Sequence, residues 1–397
     1  MDSGDISWIL ISSALVMLMT PGLAFFYGGL VRRKNVLSIV MQSFIAMAVV
    51  GVIWVLWGYS LAFGSDIMGI IGGLEWFALN DVGLEPAPLA PTIPHLAFMV
   101  YQGMFAIITP ALITGAFADR MRFRSYLFFI VLWSTFVYSP IAHWVWGGGW
   151  LSSLGALDFA GGTVVHISAG MAALMTVFIL GKRKGYGEYS MTPHNIPLIV
   201  LGTALLWFGW FGFNAGSALG ANETAVLAFV TTNTAAATGT LPWLMIDWSH
   251  KGTPSLIGAA TGAVAGLVAI TPAAGFVTVQ AALAIGFGAS IICYAAIQLK
   301  NRFHLDDALD VWGVHGVGGI WGAIATGIFA TGVGLIAGNL TQLSVQVVSV
   351  IATMTYSVVA TWLILKAIDS IMGLRVSPEE EAIGLDISLH LEEAYAR

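Results

Sequence analysis

The chain has 397 residues, of which 58% are hydrophobic and 9% charged, with a mean hydropathy of +0.86 and a net charge of −6. A soluble domain carries about 25% charged residues, so the composition excludes one and implies an integral membrane protein. A single cysteine, Cys293, excludes an internal disulfide, and no motif or basic run supports binding to nucleic acid.

The apolar runs are 18 residues or longer and do not alternate, which predicts spanning helices and not a barrel. The Lys and Arg residues, 15 in all, fall in clusters: Arg32 to Lys34, then Arg120, Arg122 and Arg124, then Lys182 to Lys184, Lys251, and Lys300 with Arg302. Lys366, Arg375 and Arg397 follow, and the gaps 35–119, 125–181, 185–250, 252–299 and 303–365 hold no positive charge. Each gap accommodates two helices of about 20 residues and a turn. Basic residues near helix ends stay on the cytoplasmic side. One helix followed by five pairs makes eleven spans, N-terminus out and C-terminus in.

In chain order the expected spans are 6–30, 36–62, 95–117, 125–145, 162–181, 195–216, 224–246, 255–272, 277–298, 311–331 and 342–368. The first reads as a retained helix, because no basic segment precedes it and no small-residue cleavage motif follows it. Pro86, Pro88, Pro91 and Pro94 predict an irregular lid over 63–94. Residues 1–368 are expected to form the membrane domain and 369–397 a cytoplasmic tail, either solvated through its acidic residues or acting as a docking segment. Every Lys and Arg falls inside in this topology, which leaves about −8 outside and about +2 inside. An acidic outer face concentrates cations, unless those residues serve only to solvate loops.

The third span carries Tyr101-Gln102-Gly103-Met104-Phe105, and the fourth ends in His143-Trp144-Val145-Trp146-Gly147-Gly148-Gly149. The sixth runs Trp207-Phe208-Gly209-Trp210-Phe211-Gly212-Phe213-Asn214-Ala215-Gly216-Ser217. Tryptophans near span ends anchor to the lipid interface, but an indole face also holds a small cation. Asp158 precedes the fifth span and reads both as a helix N-cap and as a fixed negative charge at the outer entrance.

Two histidines lie in uncharged, glycine-rich apolar runs. His166 follows Gly162-Thr163-Val164-Val165 in span five, and His315 follows Trp312-Gly313-Val314 in span ten. Ionisable groups at membrane depth are costly and mark pathways or sites. The two lie 149 residues apart, with Asp158 and Asp310 upstream as matching acids. Five spans is an odd number, so a five-plus-five duplication followed by a final helix places its halves in inverted orientation, with a site at the repeat interface. The pair reads as a metal site, as interhelical hydrogen-bond partners, or as a pore lining. Two ligands make a poor zinc site, and two imidazoles sharing a proton offer both donor and acceptor to a small polar substrate. The pore lining is the reading we carry forward.

The run Asp158 to Gly170, the run Trp207 to Ser217, and Asp306-Asp307-Ala308-Leu309-Asp310-Val311-Trp312-Gly313-Val314-His315-Gly316 together resemble the ammonium transporter family (Amt/Mep, with the Rhesus proteins as relatives). Gly373-Leu374-Arg375-Val376, Gly384-Leu385-Asp386 and Glu393-Ala394-Tyr395 in the tail share this likeness, which covers essentially the whole chain. The resemblance implies an eleven-helix, pseudo-two-fold all-α fold, a homotrimer in the cell membrane with one pore per protomer, and no enzyme activity, metal or cofactor. It implies that Trp146, Phe105 and Ser217 recruit ammonium, with Asp158 stabilising that region. Phe105 and Phe213 would form a gate, His166 and His315 the pore, and Trp210 would shape the pore below the gate. The tail and inner loops would dock a PII-type nitrogen-signalling protein. An ammonium sensor signalling through its tail and a neutral gas channel of Rhesus type are the alternatives; Trp146 and Ser217 favour the Amt branch.

Overall fold

Apolar runs this long can satisfy their backbone without water only as helices. The computed structural model describes residues 1–395; Ala396 and Arg397, the end of the expected tail, lie outside the described residues. Helix α1 is Ser3–Leu30, capped by Asp2, whose carboxylate accepts from the Asp5 amide at 3.0 Å. Helix α2 begins as Val36–Ile53 and continues through a π turn, Trp54–Gly58, into Tyr59–Phe63. Helix α3 is His95–Phe117. Helix α4 is Phe123–Trp133, then the π turn Ser134–Tyr138, then Ser139–Val145. Helix α5 opens with the π turn Gly162–Ile167 and runs on as Ser168–Leu180.

The second half follows as α6 (Ile196–Trp210, ending in the π turn Phe211–Ala215), α7 (Glu223–Lys251), α8 (Leu256–Ile270) and α9 (Val279–Arg302). Helix α10 opens with the π turn Trp312–Gly316 and continues as Val317–Phe329, and α11 is Leu340–Met372. A helix therefore lies over each expected segment, with ends that differ by a few residues. Eight of the helices are long and apolar enough to cross a membrane by length and composition. Helix α8 spans only 15 residues, and the Thr-rich α7 is less apolar. Sequence placed the end of α11 at 368, but its last turn continues to Met372 and stops at Gly373, which has φ +71°.

The connection over 63–94 is more regular than its prolines suggest. It holds two short antiparallel ladders, Asp66–Ile67 with Ile71–Gly72 and Pro86–Ala87 with Ala90–Pro94. The tail is folded too. Ser377 and Glu380 make a reciprocal capping box at the start of α12, Pro378–Ile383, and α13 is Leu385–His390. Lys34 Nζ donates to the carbonyls of Glu381 (2.9 Å) and Ala382 (2.6 Å), and Asp386 accepts from the Ser38 amide at 2.8 Å. The Asn35 side chain accepts from the Leu385 amide at 2.8 Å, and Arg375 donates to the carbonyls of Leu180 (2.8 Å) and Lys182 (2.7 Å). The tail thus packs on the loops of its own chain that carry Lys34, Asn35 and Lys182.

Helices α5 and α10, which carry the two histidines, cross where Gly170 meets Gly316, and a Cβ at Gly170 would collide with the Gly316 backbone. Small residues at a crossing let helix backbones approach closely. Gly170→Val should therefore force the two helices apart, lowering thermal stability in detergent by about 1–3 kcal/mol. Gly83→Ala, where nothing lies within 4 Å, should melt like the wild type. Equal melting of all three proteins would show that this crossing is not tight.

Candidate functional site

Three cavities adjoin these residues. The first, at the end of the bundle expected to face out, of about 270 Å³, is lined by Phe63, Gln102, Phe105, Trp146, Phe159 and Ser217 among others. Trp146, just past the end of α4, spends its indole N–H on the Asp158 carbonyl at 2.8 Å, so its ring is fixed and its face remains available. Ser217 Oγ donates to the Phe213 carbonyl at 2.9 Å. A hydroxyl has one donor and two acceptor positions, so Ser217 faces the cavity as an acceptor. Tyr101 Oη donates toward the carbonyls of Gly212 and Phe213 (2.9 and 3.0 Å) and lies 3.2 Å from Ser217 Oγ. Tyr101, fully buried, thus shares the Phe213 carbonyl with Ser217 and packs beside its hydroxyl. It stands in the same run as Phe105, one helical turn earlier (i, i+4), a spacing that could have found it.

Below this cavity the Phe105 and Phe213 rings stack at 4.3 Å between centroids, tilted by 37°, and both are almost fully buried. Trp146 meets Phe105 edge-on at 5.9 Å. The two phenyl rings separate the outer cavity from a second, much smaller one of about 10 Å³, lined by Leu23, Phe26, Ile108, Val165, Trp210, Phe213 and the two histidines. That volume accommodates about one water-sized molecule. Apart from the imidazoles, its walls carry almost no polar group.

His166 and His315 sit with their Nδ1 atoms 3.3 Å apart and their rings 5.2 Å apart at 25°. For that contact to be a hydrogen bond, one Nδ1 carries the proton and the other accepts it. Their Nε2 atoms are then left for a guest, and His166 Nε2 is buried with no partner in the protein. Trp210 stacks on His166 at 5.5 Å and is itself held by an N–H bond to Thr271 Oγ1 at 2.9 Å. His315 also borders the third cavity, of about 190 Å³, with Tyr27, Leu30, Met191, Val264 and Asp310 on its walls.

Both histidine helices are capped by the same device. Asp158 Oδ1 accepts from the amides of Gly161 (2.9 Å) and Gly162 (2.6 Å), and Oδ2 from those of Thr163 (2.9 Å) and Val164 (3.1 Å), with the Thr163 hydroxyl as a fifth donor. The carboxylate thereby satisfies the orphan N–H groups of α5 and faces the positive end of that helix. It acts on the outer cavity through its carbonyl, which holds Trp146. Asp307 Oδ2 accepts from the Trp312 amide at 2.8 Å. Each acid lies eight residues before its histidine and takes the amide three residues before it. Asp310, read from sequence as the partner of Asp158, is instead ion-paired with Lys300 Nζ at 2.7 Å. Equal spacing to the histidines, and not proximity in sequence, identifies the matching acid. Among the described residues no cluster of three His, Cys, Asp or Glu side chains could hold a metal ion.

A sequence profile described as Ammonium Transporter Family matches residues 7–395. The chain is 50% identical over 400 residues to the ammonium transporter Amt1 of Archaeoglobus fulgidus, covering all of both proteins. Its fold is similar to the crystal structure of Candida albicans Mep2, with a TM-score of 0.91, 41% identity, and 96% of this chain and 88% of that one covered. It is also similar to a structure titled Sensor Amt Protein, with a TM-score of 0.92, 31% identity and 98% of both chains covered.

Removing the Asp158 carboxylate strands four amides at a buried helix start, and an unsatisfied buried donor costs about 1–3 kcal/mol. Asp158→Ala is expected to lower stability severely and Asp158→Asn, which keeps one acceptor oxygen, to fall between it and wild type in thermal melts. An alanine variant that melts like wild type would show that the cap is dispensable. Burial, opposed by Lys300 and reinforced by Asp310, pushes the Asp307 carboxyl up to about 6. An ordinary Asp titrates near 3.9, so from about pH 4 to about pH 6 the folded protein holds the extra proton and its stability falls as pH rises. Asp307→Asn keeps an acceptor for the Trp312 amide and is expected to flatten that slope in melts between about pH 4 and 7. A slope unchanged by the substitution would assign it to another group.

Proposed function

The chain belongs to the ammonium transporter family, and on that premise we propose that it holds ammonium in the outer cavity, removes a proton at the Phe105–Phe213 gate, and passes ammonia along His166 and His315. The observation that carries this reading is the twin imidazole pair inside an apolar cavity sized for one small molecule. In the outer cavity the Trp146 face attracts a cation, Phe105 forms the apolar wall beside it, and Ser217 Oγ accepts one of its N–H bonds. Ammonium matches this set because it offers both charge and donors.

Carrying a bare ion through the apolar cavity would cost several kcal/mol or more. Giving up one proton at neutral pH costs an amine-like cation only a few kcal/mol, so deprotonation is the easier route. Potassium has no proton to lose and is refused on that ground, not on size. The resulting ammonia can donate to one imidazole Nε2 and accept from the other, since the shared Nδ1 proton gives the two rings opposite roles. The proton given up at the gate passes to the unpartnered Nε2 of His166 and on through the Nδ1–Nδ1 contact to His315, so one charge crosses with each ammonia and transport is electrogenic.

In the same reading the protein crosses the cell membrane eleven times, N-terminus out and C-terminus in, and assembles as a homotrimer. Its tail and inner loops receive a PII-type nitrogen-signalling protein. The helices over all expected segments and the folded, docked tail support this. A second reading, an ammonium sensor that signals through its tail, is favoured by that docked tail and by the similarity to the Sensor Amt Protein.

An ammonium jump on purified protein in liposomes should give a saturable inward current that potassium does not elicit and that His166→Ala abolishes. Wild-type current in His166→Ala would remove the pair from the mechanism, and internal alkalinisation without current would mean neutral ammonia conduction. Deleting the chain from Gly373 onward should abolish partner binding while ammonium flux persists. Ammonium binding without measurable flux in the full-length protein would favour the sensor.

A further inference from the structure

The outer connection between α2 and α3 begins with Gly64-Ser65-Asp66-Ile67-Met68-Gly69-Ile70-Ile71. Asp66 pairs with Gly72 and Ile67 with Ile71, and the turn between them is closed by Met68 (φ +58°) and Gly69 (φ +75°). Turns that face water are built from Gly, Asn, Asp, Ser and Pro. This one presents Ile67, Met68 and Ile70, which are 50%, 87% and 53% exposed. A methionine in left-handed backbone is uncommon, and here that conformation thrusts an apolar side chain outward.

The hairpin's one charge, Asp66, is half-exposed but paired. The Asp66 carboxylate accepts from the Gly69 amide and lies 2.8 Å from His143 Nε2. His143 Nδ1 meets the Ala62 carbonyl at 3.0 Å, and a carbonyl only accepts, so Nδ1 carries a proton. The ring is fully buried. The hairpin's charge is therefore paired with a buried imidazole while its apolar side chains stand out, an unusual arrangement for a loop in water.

The apolar side is continuous with the flank of the helical bundle. Trp144 Nε1 donates to the Ile70 carbonyl at 2.8 Å, and the Trp144 ring packs on Tyr356 at 4.7 Å. Tyr356 Oη in turn donates to the Phe136 carbonyl at 2.7 Å, and Phe136, within α4, is 54% exposed on an apolar helix surface that faces hydrocarbon in a membrane protein. Trp150 joins the cluster at 5.8 Å from Trp144 and donates its amide to the Gly69 carbonyl at 3.0 Å. Trp144 is itself buried and seats the hairpin on the bundle, and Trp and Tyr are enriched at the headgroup boundary of a bilayer.

We propose that the Asp66–Gly72 hairpin is a lipid anchor, inserting Ile67, Met68 and Ile70 into the headgroup–acyl boundary of the leaflet beside Trp144 and Tyr356. The anchor rests on the protein being embedded in a bilayer; naming that leaflet the outer one rests on the proposed orientation. Gly69 holds Trp150, and the turn Gly147 to Gly149 leads from there back to Trp146. Seating the hairpin in lipid thus steadies the segment that carries the recruitment tryptophan.

The test is a nitroxide on Met68→Cys, on Ile70→Cys and, as an aqueous reference, on the exposed Asn80→Cys, each in the full chain in phospholipid liposomes. Cys293 is fully buried and does not take the label. Collision with oxygen should exceed collision with a water-soluble nickel chelate severalfold at 68 and 70, and the order should reverse at 80. Nickel accessibility at 68 and 70 equal to that at 80 would overturn the anchor. Protection from both reagents would overturn it in favour of a protein neighbour. Ammonium flux recorded on the same liposomes separates a failed anchor from a failed transport reading.

Discussion

Two buried carboxylates decide where the pore chemistry can be. A helix that begins inside a membrane protein strands amides that water cannot reach, and Asp158 and Asp307 take up those groups at the start of α5 and α10. Each fixes the first turn of its helix, and that turn, which itself carries the imidazole, is a π turn in both, a form found as single-turn bulges at functional sites. With the two caps in register and the helices crossing at Gly170 and Gly316, the imidazoles meet through Nδ1. All that is proposed for the pore depends on that meeting.

The same economy governs the outer cavity. Its polar atoms are mostly committed to backbone partners: the Trp146 indole to Asp158, the Ser217 hydroxyl to Phe213, and Tyr101 to Gly212 and Phe213. What remains for a guest is an aromatic face and oxygen lone pairs. That set suits a small cation with N–H donors and does not suit an anion. Below it, the stacked Phe105 and Phe213 separate the cavity of about 270 Å³ from the one of about 10 Å³.

On the inner side, charge is organised in short-range pairs. Arg183 grips Asp306 at 2.7 Å, Arg120 donates to the Asp306 carbonyl at 2.7 Å, and Arg32 meets Asp119 at 2.8 Å. The tail joins this layer, since the Val376 amide donates to the Arg120 carbonyl and the Arg122 amide to that of Leu374. Asp306 immediately precedes Asp307, the cap of the His315 helix. The docked tail and the pore are thus linked by adjoining hydrogen bonds, although coupling between them requires an element with two states.

Much was legible in the sequence alone. A long helix lies over each span expected from the gaps between basic clusters, because hydrocarbon excludes charge. His166 and His315 stood out because an ionisable group in an apolar run needs a reason, and the roles of Phe105, Trp146 and Ser217 came from resemblance. The tertiary structure alone decided which atoms meet. It chose Asp307 over Asp310 as the second cap, brought Tyr101 to Ser217, joined two imidazoles 149 residues apart through Nδ1, and laid the tail on the inner face. Hydropathy and charge act on each segment by itself and are written locally, whereas a contact between distant segments is set by how closely helices cross, and that follows only when the whole bundle packs.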